Sequence, residues 1–268
     1  MQVILWTFRR NEHDVINLYN SLSPVMQLAT GGDMLNFGYW DLASDPVAAQ
    51  HNLCSLIGEI AELGSAKRLI DVGSGLSAPA AQWKSVNDSL DISCLNINFQ
   101  QLLASHTNRV SLINATSTVL PFSDKSADRV VALESAQHFR PLNKFVEESR
   151  RVLQPGGLLV IALPVVMRTH PFFKLGILSW TWSSEHYELE YVKSAIANNG
   201  FEIRDIEHIG HQVYEPLVDY YVLQRSALRE KILSKYPGFL ENILYRSLLK
   251  MKDVSRKGII DYVIIKAE

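Results

Sequence analysis

Cysteine is scarce in this sequence, which has only Cys54 and Cys94 among 268 residues. Two cysteines cannot build the disulfide framework of a small secreted domain, and they are too few for a cysteine-based structural zinc site. Both lie in predicted helix or strand segments. We therefore expect a reduced protein of the cytoplasm with no structural metal site.

Long apolar runs and blocks of basic residues are also missing. No run approaches the roughly 18 apolar residues of a membrane-spanning helix, and the short apolar start, MQVILWTF, has no basic residues before it. The formal net charge is −2, and no cluster of Lys and Arg stands out. We expect no stable membrane anchor and no nucleic-acid partner.

The sequence does contain a clear alternation of strand and helix patterns from residue 68 onward. Its hydrophobic content of 47% is enough for one large core. Short β-branched strands between helices indicate a parallel sheet covered on both faces, which is the α/β class. Strands are predicted near 68–73, 92–97, 109–114, 128–134 and 157–164, and helices near 77–86, 99–106 and 141–153.

The segments on either side of this alternation are mostly helical. Before it, helices are predicted at 12–22, 24–30 and 45–63, with an aromatic-rich loop at 31–40. After residue 184 the predicted order is a helix to about 199, a strand at 201–209, a helical stretch at 214–252 and a last strand at 258–266. We expect an N-terminal helical cap over 1–66 and a core over 67–268, with a lid inserted at about 165–185 and 211–257.

The most informative stretch is 68–75, which reads RLIDVGSG. A strand ends at an acid, Asp71, and Gly73 and Gly75 follow at the start of a predicted helix. Glycines allow close approach of a ligand to the backbone, and a helix N-terminus offers free N–H groups. The stretch also fits a dinucleotide fingerprint in its G-x-G-x-x-A form. The acid before the glycines suits a cationic or hydrogen-bond-donating ligand better than a pyrophosphate, yet both cofactor classes remain open here.

Three further segments narrow the choice of cofactor. They are LPFSD at 120–124, DRVVALESAQHF at 128–139 and LQPGG at 153–157. With the glycine stretch, these segments resemble those of class I S-adenosylmethionine-dependent methyltransferases. The loop NFGYW at 36–40 and the segment NINFQQL at 96–102 are similar to those of the subgroup that contains macrolide-sugar O-methyltransferases, tocopherol and sterol C-methyltransferases, and phosphoethanolamine methyltransferases. The resemblance implies a Rossmann-like seven-stranded sheet, mostly parallel with an antiparallel last strand, and S-adenosyl-L-methionine as cofactor.

The resemblance also implies a set of cofactor-binding residues. These are Tyr19, Tyr39, Asp71, Gly73, Gly75, Asn96, Ile97, Gln101, Thr116, Ser117 and Glu134. In the family pattern, Asp71 would order the turn and Asn96 would face the ribose. Thr116 and Ser117 would lie by the adenine, and the backbone of Glu134 would lie near the methionine end. Tyr19 and Tyr39 would close over the cofactor from the cap.

Three positions depart from the family pattern. Ser77 stands where a third glycine is usual, Asn96 replaces the acid that faces the ribose, and Thr116 replaces the acid at the adenine. Each lost charged acceptor can weaken binding by roughly 0.5–1.5 kcal/mol. We therefore expect weaker cofactor binding, or compensation by other groups.

His138 is the candidate catalytic base, because it follows the fourth predicted strand and an imidazole titrates near neutral pH. The resemblance implies that it pairs with Tyr19. An aspartate that assists it in some sugar O-methyltransferases is Leu163 here. A histidine at this place can equally be a capping or packing residue.

The predicted function is O-methylation of a hydroxyl on a small apolar or amphipathic metabolite, as in natural-product biosynthesis. A C-methyltransferase, in which His138 would be dispensable, remains open. A non-catalytic partner protein that binds S-adenosylmethionine remains open as well. A homodimer is compatible with the amphipathic helix predicted from residue 214.

Overall fold

The structure, a computed structural model, describes residues 11–107, 109–167, 175–181 and 185–268. Residues 1–10 of the predicted cap lie outside the described residues. The same holds for residues 168–174 and 182–184 of the predicted lid.

The N-terminal part of the described chain forms two helices, α1 (Glu12–Thr30) and α2 (Pro46–Ile60). Asn11 caps α1, since its side-chain oxygen accepts a hydrogen bond from the Asp14 N–H at 2.9 Å. The prediction of two helices on either side of Pro24 was wrong, because α1 continues through that proline. The N–H that Pro24 lacks would have bonded to the carbonyl of Asn20, a residue that is exposed, so water can satisfy it.

Seven strands form one sheet. They are β1 (Arg68–Val72), β2 (Asp91–Asn96), β3 (Ser111–Asn114), β4 (Ala127–Leu133), β5 (Leu153–Val166), β6 (Ile203–His208) and β7 (Ile260–Ala267). Their order across the sheet is β3-β2-β1-β4-β5-β7-β6. Strands β1 to β5 are parallel, and β7 runs antiparallel to both β5 and β6. The predicted Rossmann-like sheet with an antiparallel last strand is confirmed.

Helices cover both faces of the sheet. Those after α2 are α3 (Ala78–Val86), α4 (Phe99–Leu103), α5 (Leu142–Val152), α6 (Leu178–Thr181), α7 (Leu189–Asn198), α8 (Gly210–Leu223), α9 (Arg225–Leu233) and α10 (Gly238–Arg256). Side chains of a strand alternate between two cores, so Leu69 packs in the core that contains α2 and α3, while Ile70 packs in the one that contains α5 and α7. The predicted single helical stretch at 214–252 was wrong, because it breaks at Gln224 and before Gly238.

The inserted helices α8 to α10 have a small core of their own, which contains Val218, Tyr221, Leu228 and Leu248. Helix α9 also packs against α1, near the edge of the sheet where the parallel strands end. Ligands of open α/β sheets bind at this edge. In the described ranges, no helix is long and apolar enough to cross a membrane.

Candidate active site

A cavity opens at the carboxyl ends of β1, β2, β3 and β4, beneath α1. It is lined by ten of the residues predicted from the sequence: Tyr19, Gly73, Gly75, Asn96, Ile97, Gln101, Thr116, Ser117, Glu134 and His138. Asp71 and Tyr39 are not in the lining. The fold thus brings together residues from α1 and from the ends of four strands.

Contacts within the protein fix the conformation of the glycine loop after β1. A Cβ on Gly73 would lie 2.3 Å from the Cβ of Ser135, and Gly73 has a φ of +78°. The glycine is therefore required by the turn after β4, and not only by a ligand. Gly75 and Ser77 also have positive φ values, +58° each, and Ser77 is fully buried. Ser77 therefore adopts the left-handed conformation that a glycine would hold at less cost.

Asp71 lies under this loop and does not reach the cavity. Its side chain is 2% exposed, and its Oδ2 has no hydrogen-bond partner among the described residues. Burial raises the pKa of Asp71 to about 7. The role of Asp71 in ordering the loop stays a prediction.

The end of β2 carries a network of neutral amides. Asn96 Nδ2 donates to the carbonyl of Gly75 at 3.1 Å and to Gln101 Oε1 at 2.9 Å. Gln101 Nε2 in turn donates to Ser23 Oγ on α1 at 2.9 Å. Both N–H donors of Asn96 are committed within the protein, so the group that it can present to a ligand is its carbonyl oxygen.

The end of β3 meets the first turn of α1. Thr116 Oγ1 donates a hydrogen bond to Glu12 Oε1, and it lies 3.1 Å from Thr118 Oγ1. Glu12 lines the cavity beside Thr116 and Ser117. No pattern in the sequence marks Glu12, because an acid in the first turn of a helix is common for its interaction with the helix dipole.

Glu134, at the end of β4, fastens the aromatic loop. The backbone N–H of Phe37 donates to Glu134 Oε1 at 2.8 Å, and Tyr262 Oη donates to the same oxygen at 3.1 Å. Burial raises the pKa of Glu134 to about 8, although both hydrogen bonds oppose the shift. The sequence analysis assigned a role to the backbone of Glu134, whereas its side chain links the loop to the last strand.

The aromatic loop directs Tyr39 away from the cavity. Its backbone N–H donates to the carbonyl of Ala49 at 2.8 Å, and its ring packs against the core that contains α2. Gln50, which is 2% exposed, holds the loop by donating from Nε2 to the carbonyls of Met34 and Asn36, at 2.7 and 2.9 Å. The part of this loop that reaches the cavity is Asp33, Leu35 and Asn36.

Tyr19 and His138 meet at the other end of the cavity. Tyr19 Oη lies 2.8 Å from His138 Nε2, and the two rings are edge to face with centroids 5.3 Å apart. His138 ends a 3₁₀ turn, Ala136–His138, directly after β4. Burial, with a smaller contribution from Glu134, raises the pKa of Tyr19 well above its ordinary value. The phenol therefore stays protonated and can donate to the imidazole.

Arg140 is a second cavity residue that the sequence analysis missed. It is the one Lys or Arg in the described lining, which also includes the carboxyl groups of Glu12, Asp33 and Glu134. The guanidinium of Arg140 lies 3.7 Å from the carboxylate of Glu185. No signal in the sequence marks Arg140, since it stands in a short loop between a turn and α5.

These residues fit S-adenosylmethionine. A lining with more carboxyl groups than cations suits a ligand that carries a sulfonium and an ammonium group. The carbonyl of Asn96 and the carboxylate of Glu12 are acceptors for hydroxyl and amino donors. In the described residues, no three His, Cys, Asp or Glu side chains come together in a group that could hold a metal ion.

Comparisons with known proteins agree with the geometry. A family model described as a methyltransferase domain matches residues 70–161. Erythromycin 3''-O-methyltransferase of Saccharopolyspora erythraea is 25% identical over an alignment of 250 residues, and the match covers 85% of this chain and 82% of that protein. Methyltransferase GfsG of Streptomyces halstedii is 32% identical over an alignment of 148 residues, and the match covers 51% of this chain and about half of that relative, 53%.

A solved structure extends the likeness to nearly the whole fold. The crystal structure of the [4+2]-cyclase SpnF superposes with a TM-score of 0.78 at 20% identity and covers 96% of this chain and 95% of that one. At this identity the likeness shows the fold alone. The family match at 70–161, the methyltransferase relatives and the site together support a class I S-adenosylmethionine-dependent methyltransferase of the small-molecule type.

Proposed function

We propose that the protein transfers a methyl group to a hydroxyl oxygen of a small apolar or amphipathic metabolite, with His138 as the base and Tyr19 as its partner. The observation that carries the proposal is the 2.8 Å contact between Tyr19 Oη and His138 Nε2 at the cavity wall. Val15, Ile16, Leu35 and Phe139 line the same cavity and supply apolar contacts for an acceptor. The name of the erythromycin relative supports methyl transfer to oxygen.

The Tyr19–His138 pair provides a route for the acceptor proton. The bound cofactor supplies a methyl group activated by a sulfonium, which accepts the electron pair of the S–CH3 bond when that bond breaks. An acceptor hydroxyl that donates to Tyr19 Oη loses its proton to that oxygen, while the phenolic proton of Tyr19 moves to His138 Nε2. The acceptor oxygen gains a bond to the methyl carbon, and the proton ends on the imidazole. Tyr19 serves as a relay and not as the base, because burial holds its pKa too high for it to ionise.

The orientation of the reacting atoms supplies the rest of the rate enhancement. Alignment of oxygen, carbon and sulfur is the main requirement of an in-line displacement. The neighbouring elements that can enforce it are α1 and the inserted helices α8 to α10, since α9 packs against α1. We propose that α1 and α2 act as the cap and that the inserted helices act as the lid. The two cysteines are free and buried, which suits a reduced cytoplasmic setting.

Two experiments test the proposal in sequence. Calorimetric titration with S-adenosylmethionine and S-adenosylhomocysteine should give saturable binding, and absence of binding at millimolar concentration of either would reject the cofactor role. The protein is then incubated with S-adenosylmethionine and a panel of hydroxylated polyketides, glycosides and terpenoids. We expect a product that is heavier by one methylene unit, with its new carbon signal in the methoxy region of the NMR spectrum. A new methyl group on carbon would instead support C-methylation, and binding without any product would favour the non-catalytic partner.

A further inference from the structure

The cavity is longer than the reaction centre needs. Tyr19 and His138 stand at the β4 side of its wall, whereas Thr116 and Ser117 stand beyond the end of β3, at the edge of the sheet. Since the proposed function puts the methyl-bearing sulfur near Tyr19 and His138, the adenosine arm of a bound cofactor would extend across β1 and β2 toward β3. Thr116 would then stand beside the adenine, the distal group of that arm.

Both N–H donors of Asn96, which lies along this path, are already engaged. Asn96 and Gln101 bond to each other at 2.9 Å, and Gln101 bonds onward to Ser23. Asp33 Oδ1, on another part of the wall, accepts from Gln27 Nε2 at 2.8 Å. Glu134 bonds to Phe37 and Tyr262 at the β4 side. The carboxyl group at the β3 end is that of Glu12.

Among the described residues, a single hydroxyl holds Glu12 in place there. Thr116 Oγ1 donates to Glu12 Oε1, which leaves Oε2 as an acceptor for another donor. Glu12 is exposed to solvent on α1 and also lines the cavity. A carboxylate accepts from N–H groups and repels carbonyl oxygens, so its position at the β3 end selects the chemistry of the group that docks there.

We infer that Glu12, from the cap helix and oriented by Thr116, accepts a hydrogen bond from the exocyclic amino group of the cofactor's adenine and thereby selects adenine over a 6-oxo purine. This inference rests on the proposed function for the direction of the cofactor. It assigns to α1 a part in recognising the nucleoside, in addition to carrying Tyr19. Glu12 would thereby supply the carboxylate that neither Asn96 nor Thr116 provides.

The test compares S-adenosylhomocysteine with S-inosylhomocysteine, in which a carbonyl oxygen replaces the amino group and N1 carries a hydrogen. Calorimetric titration of the wild-type protein should show S-adenosylhomocysteine bound at least ~100-fold more tightly, because the oxygen faces a carboxylate. In Glu12→Gln, we expect affinity for S-adenosylhomocysteine to fall ~10- to 100-fold. Affinity for S-inosylhomocysteine should hold or improve, because the amide can donate to the 6-oxo group.

Two further variants separate recognition from folding and from charge. Thr116→Val removes the hydroxyl that orients Glu12 and keeps the branched shape. It should reduce the preference for S-adenosylhomocysteine over S-inosylhomocysteine, but by a smaller factor than Glu12→Gln does. Glu59→Gln removes an equal charge from an exposed position on α2 and should change neither affinity. Thermal unfolding of each variant checks that the fold is intact.

The possible results distinguish this inference from the cofactor assignment. A wild-type protein that binds neither ligand overturns both. Binding of S-adenosylhomocysteine with discrimination that Glu12→Gln leaves unchanged overturns the role of Glu12 alone. An equal loss for both ligands in Glu12→Gln also overturns it, because such a loss reports positioning of α1 and not contact with the purine.

Discussion

Tyr19 on α1 and His138 after β4 share a hydrogen bond of 2.8 Å although 119 residues separate them in the chain. The bond joins the helix above the cavity to the 3₁₀ turn that follows β4. Any movement of α1 therefore changes the partner of the proposed base. The imidazole of His138 therefore has its Tyr19 partner only when α1 is correctly placed.

Removal of either member of this pair should reduce methyl transfer more than cofactor binding. His138→Ala is expected to lower the single-turnover rate by ~100-fold or more, which is the usual contribution of a general base. Tyr19→Phe keeps the edge-to-face ring contact and removes the hydroxyl alone. The rates are measured at saturating S-adenosylmethionine with an acceptor from the panel. Wild-type rates in both variants would contradict the base role and favour transfer to carbon.

The two buried acids should make the folded protein less stable as the pH rises. Burial raises the pKa values of Asp71 and Glu134 to about 7 and about 8, so the folded state retains protons that the unfolded chain releases near pH 4. Their contribution is fully present below pH 4 and is lost as the pH rises toward 8. Each such group lowers the free energy of unfolding by about 1.4 kcal/mol per pH unit within that window.

Urea unfolding between pH 5 and pH 8 measures this slope, and amide variants provide the control. Asp71→Asn and Glu134→Gln cannot ionise, so each should flatten the pH dependence by the share of one group. Gln at position 134 still offers an oxygen to the Phe37 N–H. If both variants keep the wild-type slope of unfolding free energy against pH, groups other than Asp71 and Glu134 are responsible for it.

The substitution Gly73→Ala should be far more damaging than an alanine at another glycine with the same backbone angle. Gly73 and Gly200 both have a φ of +78°, but a Cβ at Gly200 meets nothing within 4 Å. Gly200→Ala should therefore cost about 1–2 kcal/mol for the left-handed conformation alone. Gly73→Ala adds the overlap with Ser135 and should cost several kcal/mol. Equal losses in chemical denaturation would show that the turn after β4 moves aside.

Loss of the Gln50 donors should release the aromatic loop. Gln50→Leu leaves the carbonyls of Met34 and Asn36 without a buried donor, at a cost of roughly 1–3 kcal/mol for each. Limited proteolysis should then cut within residues 31–40. Gln82→Leu is a matched control, because Gln82 Nε2 also makes two hydrogen bonds but on the exposed side of α2. Resistance of Gln50→Leu to the protease would show that the other bonds of the loop, to Glu134 and to Ala49, hold it without Gln50.

Patterns local in the sequence predicted the sheet well. The apolar strands before Gly73 and before Glu134 lie where alternation placed them, and seven strands with an antiparallel last strand follow from the family resemblance. Pro24 misled the helix assignment, since a proline whose missing hydrogen bond falls on an exposed turn does not break a helix. Gln224 ends α8 without any strong breaker.

Contacts between distant segments could not be predicted from the chain. Tyr39 was expected over the cavity, but the direction of its loop is set by Gln50 and by Glu134, which is 97 residues from its partner Phe37. Glu12 was missed because its relation to Thr116 spans 104 residues. Which side chain of a loop enters a cavity is decided by such tertiary hydrogen bonds, and no spacing rule encodes them.

The packing of α9 against α1 has a consequence for attempts to change the acceptor range. A chimera that takes only the inserted helices from a relative would leave α9 against a foreign surface of α1. The mismatch would be transmitted to Tyr19, and from there to His138. Segments 11–30 and 210–256 therefore form one exchangeable unit, and recombination between relatives should succeed when both are moved together.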